Sequence, residues 1–186
     1  MSRDVLLSTA LELFARRGVD GASIAQIAAA ADTSKANVMH HFRSKDALYR
    51  ACLEQVGDRL RGTAEEAAQE VAGGADPATA VRAGMQRWAD DHPDDVRLMT
   101  YGLLRLQERP GPWVLDSAVE ALMRVLEGTA DEAAEVVVSQ LGLVTYAVIA
   151  APLERGLRAA AARSRHPDDM TPTRTSGTDT PQGATP

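Results

Sequence analysis

Lys35 and Lys45 are the two lysines of the chain, and between them stand His40, His41 and Arg43. Cationic side chains gathered in this way suit phosphate oxygens, and a side-chain amide such as that of Asn37 is able to bond two edge atoms of adenine at once. The surrounding sequence supplies a frame for such chemistry. Ser23-Ile-Ala-Gln26 has the spacing of a capping box and predicts a short helix to Ala31, Asp32-Thr33-Ser34 reads as a turn, and a third short helix is predicted from Lys35 to His41. Two short helices joined by a tight turn, with polar and basic groups on the second, form the arrangement that enters a DNA major groove.

The whole chain is no polycation, since its net charge is -6 with 25% charged residues, so any nucleic-acid contact has to be local. Residues 1–61 carry nine Lys/Arg against seven Asp/Glu, a balance of +2, while residues 62–162 carry eight against sixteen, a balance of -8. The one cysteine, Cys52, excludes an internal disulfide framework or a multi-cysteine metal site and fits a reducing cytoplasm. Charges interrupt the apolar residues of MSRDVLLSTALELFARRG, which does not read as an export signal. Adjacent His40 and His41 point about 100° apart on a helix and do not form the i, i+4 pair of a metal site. The run Asp90-Asp91-His92-Pro93-Asp94-Asp95 reads as an exposed acidic turn between helices. With no ordered nucleophile, base and acid and no glycine-rich phosphate loop, the expectation is a protein that is not an enzyme and needs neither metal nor cofactor.

Apolar residues recur at helical spacing along nearly the whole chain, and no stretch alternates in the manner of a strand, so the expected fold class is all-α. A first helix is predicted from Arg3 to Arg17, with Ser2 as its cap and Gly18 as its stop. Ser44 caps a long fourth helix with the stripe Leu48, Cys52, Val56, Leu60 and Ala64. Asp76-Pro77 opens a fifth, followed by helices near Asp95–Glu108, Trp113–Glu127 and Asp131–Ala162, the last opened by the box Thr129-Ala-Asp-Glu132 and kinked at Pro152. Residues 136–153 carry no charge and read as a helix buried on all sides rather than a membrane span. From Thr171 onward, six Thr and three Pro in sixteen residues predict a tail that does not fold alone. The expected division is a DNA-binding domain over 1–46, a helical ligand-binding and dimerisation domain over 47–163, and a disordered tail over 164–186.

The segment LSTALELFARRGVDGASIAQIAAAADTSKANVMHHFRSKDALYRACLE resembles the N-terminal DNA-binding domain of the TetR family of transcriptional regulators. The block Leu-Glu-Leu-Phe before Gly18, the pair Ile27-Ala28, Ser34-Lys35, and His41-Phe42 with Ser44-Lys45, Ala47 and Leu48 carry the likeness. It implies that Thr33, Ser34, Lys35, Asn37, His40 and His41 face DNA and that Lys45 grips a phosphate. Asp32 stands where the family usually has glycine, Met39 where a backbone-contacting tyrosine is frequent, and Ala25 where arginine is often found; losing the last two weakens phosphate contact.

The resemblance also implies a ligand-responsive regulator, usually a repressor, that binds a palindromic double-stranded operator as a homodimer through its last two helices and is released by a small molecule. The alternative is a helical dimer that binds a small molecule or protein without DNA recognition. Met85, Trp88, Met99, Tyr101, Trp113, Met123 and Tyr146 are the expected ligand pocket, an apolar or aromatic cavity or else ordinary core, with Arg87, Arg97 and Arg105 available to an anionic group. No membrane association is expected.

Overall fold

The computed structural model describes residues 2–108 and 111–164, with side chains to residue 158. These residues form eight helices and no strand: α1 (Arg3–Gly21), α2 (Ile24–Ala30), α3 (Lys35–Phe42), α4 (Lys45–Ala72), α5 (Pro77–Asp91), α6 (Pro93–Glu108), α7 (Asp116–Met123) and α8 (Ala130–Ser164). The all-α expectation holds. Residues 2–150 make one compact unit; residues 151–164 lie in a second, where α8 runs on through Pro152 with Leu153 and Leu157 exposed. The predicted tail lies outside the described residues.

Helix starts follow local chemistry closely. Ser23 Oγ accepts from the Gln26 N–H at 3.2 Å while Gln26 Oε1 accepts from the Ser23 N–H at 2.9 Å, the reciprocal box the spacing predicts. Ser44 caps α4 through the Ala47 N–H, Asp76 caps α5 through the Thr79 N–H ahead of Pro77, and Thr129 with Glu132 opens α8. Gly18 takes φ +68°, a conformation that costs glycine little, although the helix resumes beyond it to Gly21.

The first four helices pack around Leu6, Phe14, Ile27, Val38 and Leu48, all fully buried. Burying such a side chain stabilises by about 1.5–3 kcal/mol. The same core continues along α4, which packs on α1, α5, α6 and α7, with Leu60, Met85, Leu98 and Leu122 inside it. α4 is therefore the spine that joins the N-terminal helices to the rest of the unit.

Three expectations need correction. The seventh helix runs only over Asp116–Met123, because the Asp116 carboxylate accepts from the Trp113 N–H at 3.1 Å and holds residues 113–115 in a turn, while 122–126 close in tight turns. The acidic run 90–95 is not wholly exposed: Asp95 is 1% exposed and both of its oxygens lie 2.7 Å from Arg59 Nη1, tying the start of α6 to α4. α8 is not buried all round either. Val137, Leu141 and Val144 enter the core, but Val138, Leu143, Tyr146 and Ile149 are more than half exposed on the other side. By length and composition alone, Ala130–Arg158 is apolar enough to cross a bilayer.

Candidate nucleic-acid interface

α3 owes its position to its inner side. Val38 and Phe42, one helical turn apart, are buried in the core, whereas Lys35, Ala36 and His40 are exposed and Asn37, Met39 and His41 are half-buried on the flanks. The turn leading into it is set by the Thr33 N–H donating to the Ala28 carbonyl at 2.9 Å and by Asp32 at φ +50°, the left-handed conformation that Asp tolerates in place of glycine. Ser34 Oγ then caps α3 by accepting from the Asn37 N–H at 3.1 Å. The Asn37 side chain is itself oriented, because its Nδ2 donates to Thr33 Oγ1 at 3.0 Å and leaves its carbonyl oxygen free to accept.

The far end of α3 is equally defined. Arg43 leaves the helix at φ +56°, donating its N–H to the Met39 carbonyl, and its side chain is exposed. Arg3, from the start of α1, lays its guanidinium 5.2 Å from the centroid of the Phe42 ring. This cation beside α3 is not apparent from the sequence, where the two residues are 39 positions apart and share no pattern. Lys35 is exposed at one end of α3 and Arg43 at the other, with the polar His40 and His41 between them, on a chain whose net charge is -6.

Lys45 differs from expectation. Rather than standing free, its Nζ donates to the carbonyls of Val19 at 2.7 Å and Ala22 at 3.2 Å. These are carbonyls left over at the end of α1, and a cation there is favoured. The ammonium thus ties the start of α4 to the α1–α2 corner. Thr33, Ser34, Lys35, Asn37, Met39, His40 and His41 do lie together on the turn and on α3.

The seven residues expected to share a ligand pocket do not converge. Met85, Trp88 and Met99 are buried within the continuous core, and the Tyr101 ring lies where a Cβ at Gly18 would meet it at 3.7 Å. Met123 lines a shallow pocket with Leu126 and Thr129, while Tyr146 is 66% exposed on the outer side of α8. Trp113 borders a cleft near α4 with Tyr49, Arg50, Leu53 and Arg105, and Trp88 edges a separate one with Arg59, Thr63 and Glu66. The reason is packing: methionine and aromatic side chains at helical spacing fill a helical core as readily as they line a cavity. Of the three arginines considered, Arg87 pairs with Glu70 at 2.8 Å, Arg97 pairs with Asp94 at 2.6 Å, and Arg105 reaches the cleft.

An all-helical chain whose N-terminal helices form a helix–turn–helix with an outward basic face belongs to a broad class of nucleic-acid-binding folds. Residues 6–52, about a quarter of the chain, match the family described as bacterial regulatory proteins, tetR family, and this N-terminal part is similar to that family. It is 43% identical over 56 residues, 30% of its own length, to the HTH-type transcriptional regulator RutR of Escherichia coli strain K12. The match spans 26% of that regulator's length. Among solved structures, a putative transcriptional regulator from Streptomyces coelicolor is 27% identical, with 90% of this chain and 88% of that one aligned at a TM-score of 0.56. The TetR family regulator PfmR from Thermus thermophilus is 23% identical, with 80% and 85% coverage and a TM-score of 0.58, and shares the fold.

Proposed function

We propose that the protein is a DNA-binding transcriptional regulator, in its simplest form a repressor, that reads a palindromic duplex as a homodimer and is released by a small molecule. The observation that carries this reading is the two-sided character of α3: Val38 and Phe42 hold it in the core, while Lys35, Asn37 and His40 are presented outward with the Asn37 amide already oriented. Lys35, His40, His41 and Arg3 supply phosphate contacts, Asn37 reads a base edge, and Thr33, Ser34 and Met39 flank the groove. Residues 1–46 act as the DNA-reading part and 47–163 as the sensing and pairing part, a division of labour across a continuous core. The regulator works in the cytoplasm and carries out no catalysis.

Homodimerisation rests on α8. Val138, Leu143, Tyr146 and Ile149 expose an apolar face that a twofold mate covers, with α7 alongside, setting two recognition helices roughly 34–36 Å apart on one side of the duplex. Selecting bound sequences from a random duplex pool tests the reading. Recovery of an inverted repeat whose affinity falls steeply with salt supports it; a chain that enriches nothing is left with the alternative, a helical dimer for a small molecule or protein partner without DNA recognition.

A further inference from the structure

We propose that the cleft between α4, α6 and residues 111–114 is a binding site for a small organic carboxylate with an apolar body. This rests on the ligand-responsive reading above for its regulatory meaning, while the binding itself is independent of DNA. The cleft encloses about 250 Å³ and is bordered by Asp46, Tyr49, Arg50, Leu53, Arg105 and Trp113. Two of its residues carry hydrogen-bond donors with nothing to bond: Tyr49 Oη and Trp113 Nε1 are buried and have no partner among the described residues. Buried donors are ordinarily satisfied, so two orphans on one cleft call for an acceptor from outside. Tyr49 is 7% exposed, and burial raises its hydroxyl to about 12 against the opposing pull of Arg105, so it is a donor and not a phenolate at neutral pH.

The charges define the acceptor further. Arg105 stands 5.5 Å from the centroid of the Tyr49 ring and only 3.9 Å from Asp46, a loose pair whose acid is 83% exposed. With Arg50 also on the rim, two guanidinium groups face one carboxylate, leaving one positive charge uncompensated. A ligand carboxylate accepts from Tyr49 Oη and Trp113 Nε1 and takes Arg105 from Asp46, while Leu53, Leu106 and Val114 meet its apolar part. Asp46 adjoins Lys45, so the exchange of partners occurs one residue from the tie that orients the N-terminal helices.

The test uses the full chain carrying Trp88→Phe, which leaves Trp113 as the only indole, titrated with 3-phenylpropionate and with 3-phenylpropionamide as the uncharged match. Saturable quenching by the acid, with the amide about tenfold weaker, is expected. Arg105→Gln and Tyr49→Phe should each weaken the acid by about tenfold, and Tyr49→Phe should keep or raise the melting temperature because it removes an unpaired buried hydroxyl. Equal binding of acid and amide, no saturable quenching by either, or indifference to Arg105→Gln overturns the proposal. Acid binding that leaves affinity for a selected duplex unchanged upholds the cleft and removes instead the ligand-responsive part of the proposed function.

Discussion

The ammonium of Lys45 lies 2.7 Å from the carbonyl oxygen of Val19, 26 residues earlier in the chain, and 3.2 Å from that of Ala22. One side chain at the first position of α4 therefore closes the end of α1 and fixes the corner from which α2 and α3 depart. Lys45→Met keeps the alkyl stem and removes the donors. It should cost about 1.5 kcal/mol of stability by denaturant unfolding, at the low end for charged hydrogen bonds because the residue is half exposed. Affinity for every duplex should fall together with an unchanged salt slope. A slope lower by about one unit would assign the ammonium to a phosphate instead.

Asn37 predicts a different signature. Its amide is held by Thr33, so Asn37→Ala removes an oriented acceptor and donor without touching the core. Selectivity at one position per half-site should relax by about 1–3 kcal/mol, with stability little changed. Competition among duplexes differing at single positions measures this, and a uniform loss across the panel would refute base reading by Asn37.

The two sides of α8 should respond oppositely to the same charge. Leu143→Glu with Ile149→Glu falls on the exposed side and should turn dimer into folded monomer, seen by sedimentation with an unchanged helical signal. Val144→Glu, by contrast, places a carboxylate at a position with no exposure and should unfold the unit. A double variant that remains dimeric would remove this face from the pairing surface, and liposome flotation of wild type would give the face to a membrane.

Cys52 and alkaline stability are linked. Burial, reinforced by the negative charge of Asp95, pushes the Cys52 thiol up to about 12, and Tyr49 is raised likewise by burial. Native values above the unfolded ones mean that these groups contribute stability below the unfolded pKa, about 8.5 for cysteine, and lose it as pH rises toward the native value. The urea midpoint should fall between about pH 9 and 11, less steeply in Cys52→Ala. A disulfide reagent should label native Cys52 only as fast as the fold opens; rapid labelling would contradict its burial.

What the sequence made legible was whatever is local in the chain. Ser23 with Gln26, Ser44 with Ala47, Asp76 with Pro77 and Thr129 with Glu132 each act across one to three residues, so helix starts were readable. The turn at Asp32 and the inner stripe of α3 were readable for the same reason. Arg3 on Phe42, Lys45 on Val19 and Arg59 on Asp95 join residues 26 to 39 positions apart, and nothing in spacing announces them. The expected pocket failed because methionine and aromatic residues carry no mark that separates lining from filling. The cleft bordered by Tyr49 and Trp113 was signalled only by polar atoms on those two residues, and their lack of partners among the described residues is a property of the folded chain.

The two-sidedness of α3 bears on how such a protein changes over generations. Val38 and Phe42 anchor its eight residues, and Ala36, Asn37 and His40 add nothing to the core they leave behind. Substitutions on that outer surface are nearly free of folding consequences, so recognition is able to drift, duplicate and be re-selected while the scaffold stays constant. The small side chain of Ala36 at the middle of this surface is the position from which such divergence has the most room to begin.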